Sequence, residues 1–169
     1  MNRIACLLAL FTASVTAAPN LELYFIDVEG GKSVLLVSPS GQSMLFDVGW
    51  PASNNRMAST ERIVEAVHAA GLKRIDFLVI SHFDVDHLGD VPQLAAKIPV
   101  DGIYDHGDYQ TSNPQAAQRF APYAVLREKI GHTVLKVPIK GVDVQVLSAG
   151  GPVDGEAAGR SWAAQRALR

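Results

Sequence analysis

The sequence is poor in several things, and each shortage excludes a class of protein. It has one cysteine in 169 residues, Cys6, so there is no disulfide framework and no cysteine-based zinc ribbon. It has no stretch dense in Lys or Arg, and 15 basic residues stand against 17 acidic ones for a net charge of −2. The bulk charge therefore carries no nucleic-acid footprint. Beyond the N-terminus no apolar run is long enough to span a bilayer. There is no internal repeat. Gly30-Gly31-Lys32-Ser33 is not a phosphate-binding loop, because the position that needs glycine is Ile26. No Gly-X-Ser-X-Gly elbow is present, so Ser81 reads as a loop-supporting residue rather than a nucleophile. What is there, 48% hydrophobic and 19% charged residues, suits one packed domain.

The first residues read as a secretory signal peptide over 1–18. A basic start, Met1-Asn2-Arg3, precedes an apolar run from Ile4 to Val15, and small residues follow at Thr16, Ala17 and Ala18. Its removal leaves a chain without a thiol, in keeping with a secreted or periplasmic location. Residues 150–169 differ in kind from the rest. Gly, Ala and Arg dominate them, and Val153, Trp162 and Leu168 are their large apolar residues. The expected organisation is a signal peptide, a folded unit over 19–149 and a Gly/Ala/Arg-rich tail.

Within the folded unit strands come first. Leu21–Val28, Ser33–Ser38 and Ser43–Val48 are short apolar segments separated by Gly30-Gly31 and by Pro39-Ser40-Gly41, which predicts consecutive antiparallel pairing. The period then changes. Ile63, Val64, Val67 and Ala70 share one helical face, and Gly71 stands at the stop position. Ile75–Ile80 is a near-continuous apolar run, as in a strand buried on both faces. Asp90 is placed to cap a helix that runs to about Ile98. A short strand at 102–104, a helix from Asn113 to Ile130 bent or broken near Pro122, and a closing strand pair at 133–137 and 142–147 complete the reading.

The chemistry is concentrated in Ser81-His82-Phe83-Asp84-Val85-Asp86-His87-Leu88-Gly89-Asp90. Imidazole nitrogen and carboxylate oxygen together suit zinc, iron or manganese, and the end of a buried strand is a rigid place from which to aim them. A polar loop whose Asp residues cap the next helix accounts for Asp90 but not for His82 and His87. An EF-hand fails, because Leu88 and Ala95 occupy positions that require oxygen ligands.

This loop resembles that of the metallo-β-lactamase-fold hydrolases, whose pattern is His-X-His-X-Asp-His. Asp84 replaces the second His, a variant similar to the hydrolase-like domain of DNA-uptake competence proteins, where the loop runs Ser-His-X-Asp-X-Asp-His-X-Gly. Phe25–Gly31 resembles the family's opening strand and turn, and Leu45-Phe46-Asp47-Val48-Gly49 its Asp-X-Gly strand end. The resemblance covers about residues 21–148. It implies an α/β (α+β) architecture, the N-terminal part of an αββα sandwich. It also implies two divalent metals about 3.5–4 Å apart, zinc first, with manganese or iron as alternatives because Asp84 makes its site harder. His82 and Asp84 would hold one metal, and Asp86 and His87 the other. Asp86 would also orient the attacking water, and Asp47 and His106 would stand behind the ligands or on the substrate side. The implied activity is hydrolysis of an ester, phosphodiester, thioester or amide in a small-molecule or phosphodiester substrate.

The family's later ligands have no counterpart in this reading. After the loop come His106, in a strand-end turn, and His132, after a helix stop where a cation suits the helix dipole. His68 reads as structural or solvated. The alternative expectation is therefore a truncated, catalytically inactive metal-binding or partner-binding remnant.

Overall fold

A computed structural model describes residues 20–52, 59–107, 109, 111–133 and 137–146. The signal peptide and the Gly/Ala/Arg-rich tail expected from the sequence lie outside the described residues. Six strands form one mixed sheet whose spatial order is their chain order. Strands β1 (Glu22–Phe25), β2 (Val34–Val37) and β3 (Ser43–Phe46) pair antiparallel as consecutive hairpins. Helix α1 (Ser59–Ala69) then returns the chain, so β4 (Phe77–Val79) joins β3 in parallel. β5 (Ile103–Tyr104) and β6 (His132–Thr133) continue in parallel after α3 (Val91–Lys97) and α4 (Pro114–Ile130). The result is the mixed α/β class expected from the sequence.

The pleat sorts the side chains onto two faces. Leu35, Leu45, Leu78 and Ile103 stand opposite one another in register across four strands, each at most 1% exposed. Burying each contributes roughly 1.5–3 kcal/mol. Ile63 and Val67 of α1, Val91 and Leu94 of α3, and Tyr123 of α4 pack onto this face. The opposite face carries Leu36, Met44, Phe77, Val79 and Tyr104, covered by Val137 and Ile139. β4, inside the sheet, is apolar on both faces for this reason: Phe77 points to one and Leu78 to the other.

Three expectations need correction. Residues 137–146 carry no strand; Val137 and Ile139 lie across the second face instead of extending the sheet. Among the described residues the sheet ends on β6, directly after the Gly131 helix stop; residues 134–136 and 147 lie outside them. α4 is continuous through Pro122, because Asn113 caps it by accepting from the N–H groups of Gln115 and Ala116 and because Tyr123 and Arg127 anchor it beyond the proline. Asp90 occupies the N-cap position of α3, but its side chain makes no capping hydrogen bond.

Candidate metal centre

β1, β3, β4 and β5 run the same way, so the segments that follow them meet at one edge of the sheet. This edge, beyond the C-terminal ends of the strands, is where open α/β sheets place ligands. Asp47 follows β3 and its N–H bonds the carbonyl of Val79 at 2.8 Å. Ser81 follows β4. The segment read as a loop contains a one-turn helix, α2 (Val85–Leu88), with Asp84 at its N-cap and Asp86 and His87 inside it. Its position is set by backbone: Val48 N–H donates to the His87 carbonyl at 2.9 Å, and Lys32 N–H to the Asp86 carbonyl at 3.3 Å.

Asp47 is the fixed point of the site. Its side chain is fully buried, and its backbone has a positive φ of 61°, a conformation Asp tolerates better than most residues. One oxygen accepts the Ser81 N–H at 2.7 Å. The other accepts the Ser81 hydroxyl at 2.8 Å and lies 2.8 Å from His87 Nδ1. Ser81 Oγ is also 3.0 Å from His82 Nδ1. The two imidazoles lie against each other, tilted by 46°, with ring centroids 3.8 Å apart. Both therefore have Nδ1 turned toward the Asp47–Ser81 pair. His82 Nε2 lies 3.4 Å from an Asp84 oxygen, and His87 Nε2 lies 3.6 Å from an Asp86 oxygen.

The structure thus brings His82, Asp84, Asp86 and His87 together as two adjoining His–Asp pairs, with Asp47 behind them. Exposure falls from Asp84, 74% exposed, through Asp86 at 33% to the buried Asp47, so the carboxylates open outward. The donor types fit a divalent cation. The number of donors does not complete one, for among the described residues no three His, Cys, Asp or Glu side chains converge to hold a metal. His106 does not join the pairs; it stacks on Phe83, between His82 and Asp84 in sequence, at 4.2 Å. His132 stands in β6, 3.9 Å from Glu128, and His68 is exposed on α1.

Sequence reasoning missed a buried network beside the site. Asp105 accepts the Tyr123 hydroxyl at 2.7 Å and Arg127 Nη1 at 3.0 Å. Burial, and then the Asp105 charge, push the Tyr123 phenol far above the usual tyrosine range. The available signal was Tyr123 and Arg127 one helical turn apart, facing a strand-end Asp. Sequence reasoning also gave Ser81 only a supporting role, whereas its hydroxyl lies within hydrogen-bond distance of Asp47, His82 and His87.

Residues 26–159 match the metallo-beta-lactamase superfamily. The competence protein ComA of Neisseria gonorrhoeae is 44% identical over 78 residues, which are 46% of this chain and 10% of that protein. A metallo-beta-lactamase of Cronobacter sakazakii with a HARLDQ motif is similar at 27% identity and a TM-score of 0.39, over 49% of this chain and 30% of that one. Its S60 motif mutant is similar at 25% identity and a TM-score of 0.40, over the same shares. The chain thus spans about a tenth of the curated relative and under a third of these solved structures.

Proposed function

Because the chain belongs to the metallo-beta-lactamase superfamily, we propose that residues 81–90 form the core of a divalent-metal site for hydrolysis. His82 and Asp84 serve one cation, and Asp86 and His87 a second. The observation that carries this reading is the buried Asp47, 2.8 Å from His87 Nδ1. A carboxylate behind an imidazole fixes the ring and leaves its other nitrogen for a ligand. Bound divalent cations supply Lewis acidity and an acidified water.

The chain's own residues supply placement. Asp86, half-exposed at the mouth of its pair, accepts a hydrogen bond from the attacking water and orients it. His106, set against the buried ring of Phe83, stands on the substrate side. An ester, phosphodiester or amide is the substrate class, zinc the first metal, and manganese or iron the alternatives that Asp84 favours. Residues 19–149 form the metal-binding unit, and the 1–18 segment directs export. A second reading, metal or partner binding without turnover, is favoured by the two-donor count of each pair among the described residues.

Elemental analysis of the purified 169-residue chain tests this, beside a His82→Ala/Asp86→Ala variant. The expected result is about two metals per chain, lost in the variant, with chelator-sensitive hydrolysis of a nitrophenyl ester or phosphodiester. Metal without turnover establishes the metal-binding form of the second reading; no metal overturns the hydrolase and leaves partner binding alone.

A further inference from the structure

We propose that buried Asp47 fixes the ring proton of both loop histidines on Nδ1, directly at His87 and through the Ser81 hydroxyl at His82. Both Nε2 atoms then face the carboxylates as bare lone pairs.

The argument is a count of protons. Asp47 is placed as an acceptor toward three groups: the Ser81 N–H at 2.7 Å, the Ser81 hydroxyl at 2.8 Å and His87 Nδ1 at 2.8 Å. A carboxylate only accepts, and a hydroxyl has one proton to give. The Ser81 proton goes to Asp47. The hydroxyl oxygen then has only lone pairs for its other neighbours, His82 Nδ1 at 3.0 Å and His87 Nδ1 at 3.2 Å. Two lone pairs at that separation repel, so both Nδ1 atoms carry hydrogen. In a neutral imidazole the second nitrogen is then bare, because the acceptors that compete for the proton at Nε2, Asp84 at 3.4 Å and Asp86 at 3.6 Å, are farther away and lie on more exposed side chains than Asp47. The two histidines are not held equally. His87 has Asp47 directly behind it, whereas His82 depends on Ser81 alone. Ser81 is thus a positioning residue acting through His82, and a neutral hydroxyl extends the hold of one carboxylate to two rings.

The purpose of this arrangement rests on the proposed metal site, since a bare Nε2 is the form that ligates. The proton positions do not rest on it. They can be read in the metal-free chain by long-range 1H–15N correlation of the histidine rings at roughly pH 8.5, two units above the ordinary histidine pKa of about 6.5. The expected wild-type result is a protonated Nδ1 and a bare Nε2 at both His82 and His87. Ser81→Ala shifts His82 toward the Nε2–H form and leaves His87 unchanged; Ser81→Thr, which keeps the hydroxyl, restores the wild-type pattern at His82. Zinc affinity follows, falling about 10-fold or more in Ser81→Ala and recovering in Ser81→Thr. A wild-type His82 mainly protonated on Nε2 overturns the proposal, and so does a Ser81→Ala spectrum in which His82 does not move. Should Ser81→Ala fail to fold, the wild-type spectrum alone decides. The expected tautomers in a chain that does not bind zinc would leave this inference standing and sink the metal reading.

Discussion

At the scale of the residue, the site depends on backbones that approach more closely than a side chain allows. Gly31 has φ +72°, and a Cβ added there would overlap the carbonyl oxygen of Asp86. That carbonyl accepts the Lys32 N–H, so the β1–β2 turn and helix α2 touch backbone to backbone. Gly31→Ala is expected to push α2 away from the sheet edge, with a loss of about 2 kcal/mol or more in denaturant unfolding. Unchanged stability would show that the two loops do not meet. Asp47 is the complementary case: a residue that tolerates positive φ, with its carboxylate used up by Ser81 and His87. The sequence shows a turn at Gly30-Gly31 and a candidate second-layer acid at Asp47. It cannot show what each of them touches, because their partners lie 34 to 55 positions further along the chain.

At the scale of the element, local signals and tertiary anchors compete, and α4 shows the outcome. Asn113 and Gly131 mark its ends as expected from helix capping. Pro122 should break it, since proline removes one hydrogen bond and crowds the preceding turn. The helix continues because one turn on either side is held: Phe120 and Tyr123 pack together, and Arg127 lies over the Phe120 ring at 5.2 Å. The proline is exposed, so its replacement opens no cavity. Pro122→Ala is expected to raise the unfolding free energy by about 1–3 kcal/mol. A loss of stability in thermal or chemical unfolding would show that the proline is needed for packing. The short α2 is the opposite case. Nothing in Val85–Leu88 announces a helix, and a single turn has little stability of its own. It exists because its carbonyls are taken by Val48 and Lys32.

At the scale of the whole molecule, one sheet separates a helix-covered face from a face covered by residues 137–144. Asp105, Tyr123 and Arg127 tie α4 to the sheet through buried groups. The raised Tyr123 pKa makes that tie sensitive to alkali. Above pH ~10 an unfolded tyrosine releases its proton while the native one retains it. The native chain then binds more protons than the unfolded chain, and stability declines as pH rises, by up to about 1.4 kcal/mol per pH unit. Below pH ~10 the contribution is present in full. Tyr123→Phe should cost about 1–2 kcal/mol near neutrality, through the lost hydrogen bond to Asp105. It should also flatten the stability curve above pH ~10. Equal slopes for the two chains in urea unfolding at pH 9 to 11 would contradict the assignment.

The sequence by itself determined β1 to β5 and the helices α1, α3 and α4, that β4 is buried on both faces, and that His82, Asp84, Asp86 and His87 lie together. These follow from short-range periodicity and from neighbours in one loop, which any fold must respect. The tertiary structure decided the rest: that 137–146 covers a face instead of adding strands, that α2 is helical, and that Ser81 and Asp47 stand between and behind the two imidazoles. The placing of Ser81 and Asp47 depends on parallel pairing of β3 with β4, which brings segments 34 residues apart to the same edge of the sheet. Contacts at that separation leave no periodic trace in the sequence, because the side chains that meet never share a turn or a strand.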